Sequence, residues 1–307
     1  MIQPGTLWQK TVQQTRRALQ IGALKPIETE SSFVRDQGAD FLVRTVAGLA
    51  CKARERQRHR YRSYAETTTP NPFLPYDRAM FVADISPTHL CLLNKYNVIE
   101  HHLLIVTRAF REQEELLDFE DFEALWICMA EFEALGFYNG GEASGASQRH
   151  KHLQLVPLPL AERGPRVPIE PLIGSAKFKG RLATIPCFPF VHSIAKLDPI
   201  LVNDAQRAAS ETLRLYRLML EKVGLNKRDS LSGQAQAGPY NLLVAREWML
   251  LVPRRCECFK SISVNALGFA GAMLVKDKDE MRSLSKHGPI KVLEHTALPM
   301  EPTEYNV

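Results

Sequence analysis

The sequence predicts an α+β protein made of two related halves, each an antiparallel sheet flanked by helices. Three observations predict it. Apolar, β-rich runs joined by a polar turn, as in CLLNKYNVIEHHLLIVTR (residues 91–108), read as antiparallel strand pairs. Long stretches with apolar residues at helical spacing separate such runs. The strand–turn–strand pattern then returns as YNLLVAREWMLLVPR (240–254), with its turn at Arg246–Glu247 and a basic residue at its end, a weak internal repeat. We place the division at residue 190, with a first half over 1–190 and a second half over 191–307.

The elements follow in order. MIQPGTLWQKTVQQTRRALQ is an amphipathic helix in which Leu7, Val12, Leu19 and Ile21 interleave with Gln and Arg, and it has no apolar signal-peptide core. Phe41, Leu42, Val43 and Val46 mark a strand or a short helix. CKARERQRHRYR (51–62) is a dense basic run, read as a solvated arm, with a phosphate or nucleic-acid contact as the alternative. TTTPNPFLPYD (67–77) is Pro-rich and irregular. AMFVADI, HLCLLN and HHLLIVT are strands. Residues 114–135 are a long helix carrying Leu116, Phe119, Phe122, Leu125, Trp126, Met129 and Phe132, and Gly136 ends it. GFYNGGEASGAS (136–147) is then a loop and KHLQLVP (151–157) a strand stopped by Pro. After a Pro-rich exit, residues 175–192 are loop and short strand, and PCFPFVHSI is an edge strand. Residues 199–225 form a helix with Leu213, Tyr216, Leu220 and Val223 on one side, and residues 261–284 hold a Gly/Ala-rich segment and a charged helix.

Composition narrows the class. The chain has 307 residues, 45% hydrophobic and 24% charged, as an ordinary globular protein does. Its net charge of +5 suits an anionic small molecule and demands no nucleic acid. No run is apolar for long enough to span a bilayer. The six cysteines form no C-x-x-C pair, which argues for reduced thiols in a cytoplasmic protein and against structural zinc.

The chemistry concentrates in SGASQRHKHLQL, Ser144 to Leu155. On a strand, alternate residues share a face. His150, His152 and Gln154 then point into a cleft, while Lys151, Leu153 and Leu155 point the other way and the leucines enter the core. The small residues before them, Gly140, Gly141, Ser144, Gly145, Ala146 and Ser147, let backbone N–H groups gather round an anion. A phosphate cradle beside an imidazole suggests attack on phosphorus through a phospho-histidine. The same dipeptide pattern also fits a metal site, so a non-catalytic metal or nucleotide sensor stays open at this point.

YNGGEASGASQRHKHLQL resembles the active-site run of the ATP adenylyltransferases, the diadenosine tetraphosphate phosphorylases. These are a branch of the histidine-triad superfamily related to galactose-1-phosphate uridylyltransferase. NPFLPYD, LLNKYNVIEHHLLIVTR, YNLLVAREWMLLVPR and SVNALGFAGAMLV match further blocks in the same order, from about Leu7 to Val275. The resemblance implies two histidine-triad-like halves, of which the second has lost the histidines and completes the nucleotide pocket. It implies that His152 takes the AMP group and that His150 orients it, its carbonyl accepting from the His152 Nδ1–H. It implies that Gln154 replaces the proton-shuttling third histidine of hydrolytic relatives. Ser144, Gly145, Ala146 and Ser147 would hold a phosphate, Asn139 would sit near the ribose or α-phosphate, and Asn94 and Lys95 would line the nucleotide pocket. Lys52 would reach the polyphosphate, and His89, His101 and His102 would be structural. Arg149 would face solvent. The implied reaction converts diadenosine tetraphosphate and phosphate into ATP and ADP, with magnesium carried by the polyphosphate. A dinucleoside polyphosphate hydrolase and an adenylyl-sulfate-using transferase are the rival enzymes. Monomer and dimer are equally compatible with the sequence.

Overall fold

The computed structural model describes residues 2–46, 71–226 and 235–300. Helix α1 (Leu7–Gln20) precedes the hairpin β1 (Thr29–Asp36) and β2 (Ala39–Val46). Then come β3 (Phe81–Asp84), β4 (His89–Leu93), β5 (Leu103–Thr107), α2 (Phe119–Glu131), β6 (Ala134–Gly140) and β7 (His152–Pro157). After α3 (Glu170–Ile173) follow β8 (Lys177–Lys179), β9 (Leu182–Thr184), β10 (Ser193–Lys196), α4 (Ala205–Lys222), β11 (Tyr240–Val244) and β12 (Trp248–Pro253). The ribbon β13 (Cys258–Phe259) and β14 (Ile262–Ser263), α5 (Ala266–Phe269), β15 (Ala272–Val275), α6 (Lys278–His287) and α7 (Pro289–Thr296) complete the described chain.

Ten strands form one sheet in the order β3-β4-β5-β7-β6-β11-β12-β10-β9-β8, and β1-β2-β15 form a second of three strands. The repeat is plain in this order. Three strands, a helix and two strands give β3-β4-β5-β7-β6, and the same succession gives β8-β9-β10-β12-β11. Its parts correspond differently from the sequence reading. The hairpin β11–β12 takes the place of β6–β7, not of β4–β5. Apolar strand pairs look alike in sequence, and only the hydrogen-bond order tells them apart. The halves join where β6 pairs antiparallel with β11, Asn139 opposite Asn241. Strands β8 and β9 attach to the second half, although they precede residue 190.

The large sheet is covered on both faces, so its central strands read as continuous apolar runs. Along β12, Met249 and Leu251 enter the core shared with α1, α2 and α4. Trp248, Leu250 and Val252 enter the core under the small sheet and α5–α7. These last three residues stand on β12 where β7 presents His152 and Gln154, so the second half places apolar side chains at those positions.

Several element limits differ from the sequence reading. Helix α2 ends at Glu131, and Gly136 lies inside β6, which absorbs the first part of the expected loop. Its start is set by Asp118, whose side chain accepts from the Asp121 N–H while Asp121 caps in return. On α1 the buried stripe is Leu7, Thr11, Thr15 and Ala18, whereas Leu19 and Ile21 are exposed. The two threonines tolerate burial because Thr11 donates to the Leu7 carbonyl and Thr15 Oγ1 meets His101 Nδ1. Strand β10, at the end of PCFPFVHSI, is internal between β12 and β9 rather than an edge. No described helix is long and apolar enough to cross a membrane.

Candidate active site

His152 opens β7 on the face that also carries Gln154, while Leu153 and Leu155 enter the opposite core. Its Nδ1 lies 2.8 Å from the His150 carbonyl oxygen. A carbonyl can only accept, so the proton sits on Nδ1 and Nε2 keeps its lone pair. Nε2 has no partner among the described residues. Burial pushes the His152 imidazolium down to about 4, so the ring is neutral at physiological pH.

The backbone of His152 is gripped by a side chain. Its N–H donates to Gln113 Oε1 at 2.9 Å, and Gln113 Nε2 donates to the carbonyls of His152 at 3.2 Å and Asn139 at 2.9 Å. One primary amide thus does the work of ladder bonds where β6 and β7 diverge. Gln113 is itself fixed, since its N–H donates to the Arg149 carbonyl and its carbonyl accepts from the Tyr138 hydroxyl.

The His150 ring does not touch His152 Nε2. Its Nδ1 accepts from Asn71 Nδ2 at 2.8 Å, because Asn71 Oδ1 is occupied by the Phe73 N–H. Its Nε2–H faces the carbonyl of Thr107 at 2.8 Å. The Phe73 ring packs on both imidazoles, at 5.5 Å from His150 and 5.4 Å from His152.

Behind the strand lies a buried charge cluster. Lys151 is fully buried, and its ammonium donates to Asp121 Oδ2 at 2.6 Å and to the Leu116 carbonyl at 2.8 Å. His89 Nε2 stands 3.1 Å from the other Asp121 oxygen. Burial raises the Asp121 carboxyl, but His89 and Lys151 outweigh it and hold the group below the usual carboxylate range. The segment that leads into β7, from His150 to His152, is thereby tied to the first turn of α2.

The loop between β6 and β7 turns through a short 3-10 segment, Glu142–Ser144, and leaves it at Gly145 with φ +91°. Its carbonyl at Ser144 is held from the second half, by Asn241 Nδ2 at 2.9 Å and Arg254 Nη1 at 3.3 Å. Arg254 is 3% exposed, and the acceptors round it are neutral: Asn241 Oδ1 and the carbonyls of Ser144, Thr296, Cys256, Glu257 and Val264. Burial lowers its guanidinium to about 10, which leaves it charged at neutral pH.

The comparisons with known proteins now apply. Residues 1–175 match the family model described as Ap4A phosphorylase N-terminal domain, and residues 186–299 match that of the ATP adenylyltransferase C-terminal domain. The chain belongs to the Ap4A phosphorylase family. Diadenosine 5',5'''-P1,P4-tetraphosphate phosphorylase 2 of Saccharomyces cerevisiae is 25% identical over 271 residues, 79% of this chain and 82% of that protein. The crystal structure of yeast Ap4A phosphorylase Apa2 has a TM-score of 0.77 at 24% identity, covering 100% of both chains. The same yeast protein in complex with Ap4A has a TM-score of 0.76 at 22% identity, covering 98% of this chain and 100% of that one. These crystal structures share the fold of the Ap4A phosphorylase family member described here.

Against this family frame, the structure redistributes the residues marked in the sequence. His150, His152 and Gln154 stand together. The Ser144 hydroxyl donates to the Gly141 carbonyl at 2.6 Å and is buried, so it is not an open donor. The Gly145 and Ala146 amides donate to the carbonyls of Glu142 and Gly141 inside the turn, which closes the expected cradle there. Ser147, exposed, and the amides of Ser147 and Gln148 have no partner among the described residues, so the open donors lie next along the chain. Asn139 is buried, and its Oδ1 accepts from Asn241 Nδ2 and the Ala266 N–H, which fastens the two halves. Asn94 turns its amide to His102. The Lys95 carbonyl accepts from the Lys25 N–H. Arg149 is exposed and pairs with Glu112. Lys52 and the basic run 51–62 lie outside the described residues. A cavity of about 580 Å³ lined by Glu114, Glu142, Gln236 and Arg255 does not include the histidines.

Sequence reasoning missed Gln113, Asn71, Phe73 and Asp121, and took His102 as structural, although its Nε2 is 2.9 Å from Gln154 Oε1. The signal for His102 was its position in the block beside Asn94. Nothing local marks Gln113 or Asp121, whose roles depend on contacts across the fold.

Proposed function

We propose that this chain is a nucleotidyltransferase that phosphorolyses diadenosine tetraphosphate to ATP and ADP and runs the reverse synthesis. The observation that carries the reading is the His152 imidazole, neutral and pinned by the His150 carbonyl so that Nε2 is the nucleophile. Nε2 attacks an α-phosphorus; the P–N bond forms, the P–O bond to the bridging oxygen breaks, and ATP leaves as an anion. Inorganic phosphate then attacks the adenylyl group, the P–N bond breaks, and ADP departs while His152 regains its lone pair. Positioning and charge stabilisation supply the catalysis. Gln154 donates its amide hydrogens to a phosphoryl oxygen and cannot shuttle a proton, which favours transfer to phosphate over hydrolysis.

Magnesium enters with the polyphosphate as part of the substrate, because phosphate oxygens suit it. Among the described residues no group of three or more His, Cys, Asp or Glu side chains could hold a metal ion. The five described cysteines are free, which fits a cytoplasmic setting.

The test incubates the protein with adenine-labelled dinucleotide and no phosphate. Acid-labile AMP should accumulate on wild type, should be absent from His152→Ala, and should be chased to ADP by added phosphate. An unlabelled wild type, or equal label on His152→Ala, defeats the reading.

A further inference from the structure

We propose that Asn94 and His102 are positioning residues that decide which end of the Gln154 side-chain amide faces the reacting phosphoryl group. The proposal rests on the phosphorylase reading of the site. It follows from one group that can only donate. The backbone N–H of Tyr96 donates to Asn94 Oδ1 at 3.3 Å. The opposite end of that amide, Nδ2, therefore faces His102 Nδ1, 3.2 Å away. A ring nitrogen that accepts carries no proton, so neutral His102 holds its proton on Nε2. That Nε2–H donates to Gln154 Oε1 at 2.9 Å.

Each bond in this chain fixes the direction of the next. With Gln154 Oε1 occupied, its Nε2 amino group has no partner among the described residues and stays on the half-buried face shared with His152. The two amide hydrogens are then presented where charge grows on a phosphoryl oxygen. Reversed, the amide would offer lone pairs to that anion. His102 is 8% exposed, and burial lowers it to about 4, which keeps the ring in the neutral, single-proton form that the relay needs. The rings facing it are Phe137 at 5.7 Å and the neutral His152. The same device recurs beside it, where the Phe73 N–H fixes Asn71, Asn71 fixes His150, and His150 donates to Thr107. There the relay ends on a backbone carbonyl and sets structure; at Gln154 it ends on a side chain free to act.

Asn94→Asp tests the polarity with little change of shape. A carboxylate still accepts from the Tyr96 N–H but can only accept from His102 as well. At about pH 9, where the imidazole is neutral, the proton must move to Nδ1 and Nε2 must become an acceptor. Histidine ¹⁵N NMR should therefore report the Nε2–H tautomer of His102 in wild type and the Nδ1–H tautomer in Asn94→Asp. The variant should lose kcat on the order of a hundredfold, as for a lost oxyanion donor, with KM within about threefold of wild type. His102→Phe, which removes the relay, should lose kcat in the same direction. An Nδ1–H tautomer in wild type, or wild-type kcat in Asn94→Asp with the tautomer switched, overturns the proposal. A wild type without phosphorolysis defeats the functional reading instead, and the tautomer measurement still decides the relay.

Discussion

His152 is a histidine made unlike a free one by where it lies. Its imidazolium is lowered from 6.5 to about 4, chiefly because burial disfavours the charged ring. Only the neutral ring is a nucleophile. The rate of adenylylation by Ap4A without phosphate should therefore be flat from about pH 8 to about pH 5 and fall with a midpoint near 4. A single-turnover profile with its acid limb centred near 6.5 would contradict the environment described. The same shift has a consequence for stability. The folded value lies below the unfolded one, so as pH falls the unfolded chain binds the proton first. The contribution is complete above 6.5, declines between 6.5 and 4, and is then constant. His102, also lowered to about 4, acts in the same window with the same sign. Each histidine costs on the order of 3 kcal/mol by the acid end, and urea midpoints measured across that window should drop accordingly.

The elements that carry these residues are held by groups far away in sequence. Strand β7 is bound to α2 through Lys151 and Asp121, both fully buried in their side chains. Lys151→Met should destabilise the fold by about 3–5 kcal/mol, because Asp121 keeps its charge without its closest cation. Lys151→Met with Asp121→Asn should recover a large part of that loss, and urea unfolding of the two variants checks it; equal losses would show that the pair matters only as bulk. This cluster was half legible. Strand alternation already put Lys151 on the face of Leu153 and Leu155, but a lysine on an apolar face is buried only if a carboxylate meets it, and the partner sits on another element. The limits of α2 were illegible for a different reason. Residues 132–137 are apolar at both helical and strand spacing, so periodicity carries the helix on to Gly136, whereas pairing of β6 with β7 and β11 stops it at Glu131. The histidine strand itself was legible because His152, Leu153, Gln154 and Leu155 alternate polar and apolar.

At the scale of the whole molecule, the site belongs to neither half alone. The histidines come from the first half, but the loop that leads to them is held by Asn241 and Arg254 and lies against Asn265 and Val264 of the second. The repeat changes over between β7 and β8, ahead of the division expected at residue 190, and the two copies are bound together, since Asn139 and Asn241 bond across the central strand pair. A sequence can announce two copies of a pattern, yet the seam between them is written only in the contacts. Gly145 is a tight point of that seam. It adopts φ +91°, and a Cβ there would lie 2.9 Å from Asn265 Cβ and 3.1 Å from the Val264 carbonyl oxygen. Gly145→Ala therefore meets both left-handed strain and backbone that cannot yield without shifting the second half. It should cost about 1–3 kcal/mol of stability and should raise KM for phosphate and for Ap4A, because the open donors at Ser147 and Gln148 move with the loop. Gly164→Ala is the matched control, with φ +87° and nothing within 4 Å of the added methyl, so it meets the strain without the collision. Thermal unfolding and initial rates of both variants separate the two effects. A Gly145→Ala protein whose KM values match those of Gly164→Ala would show that the contact between halves does not position the phosphate-side loop.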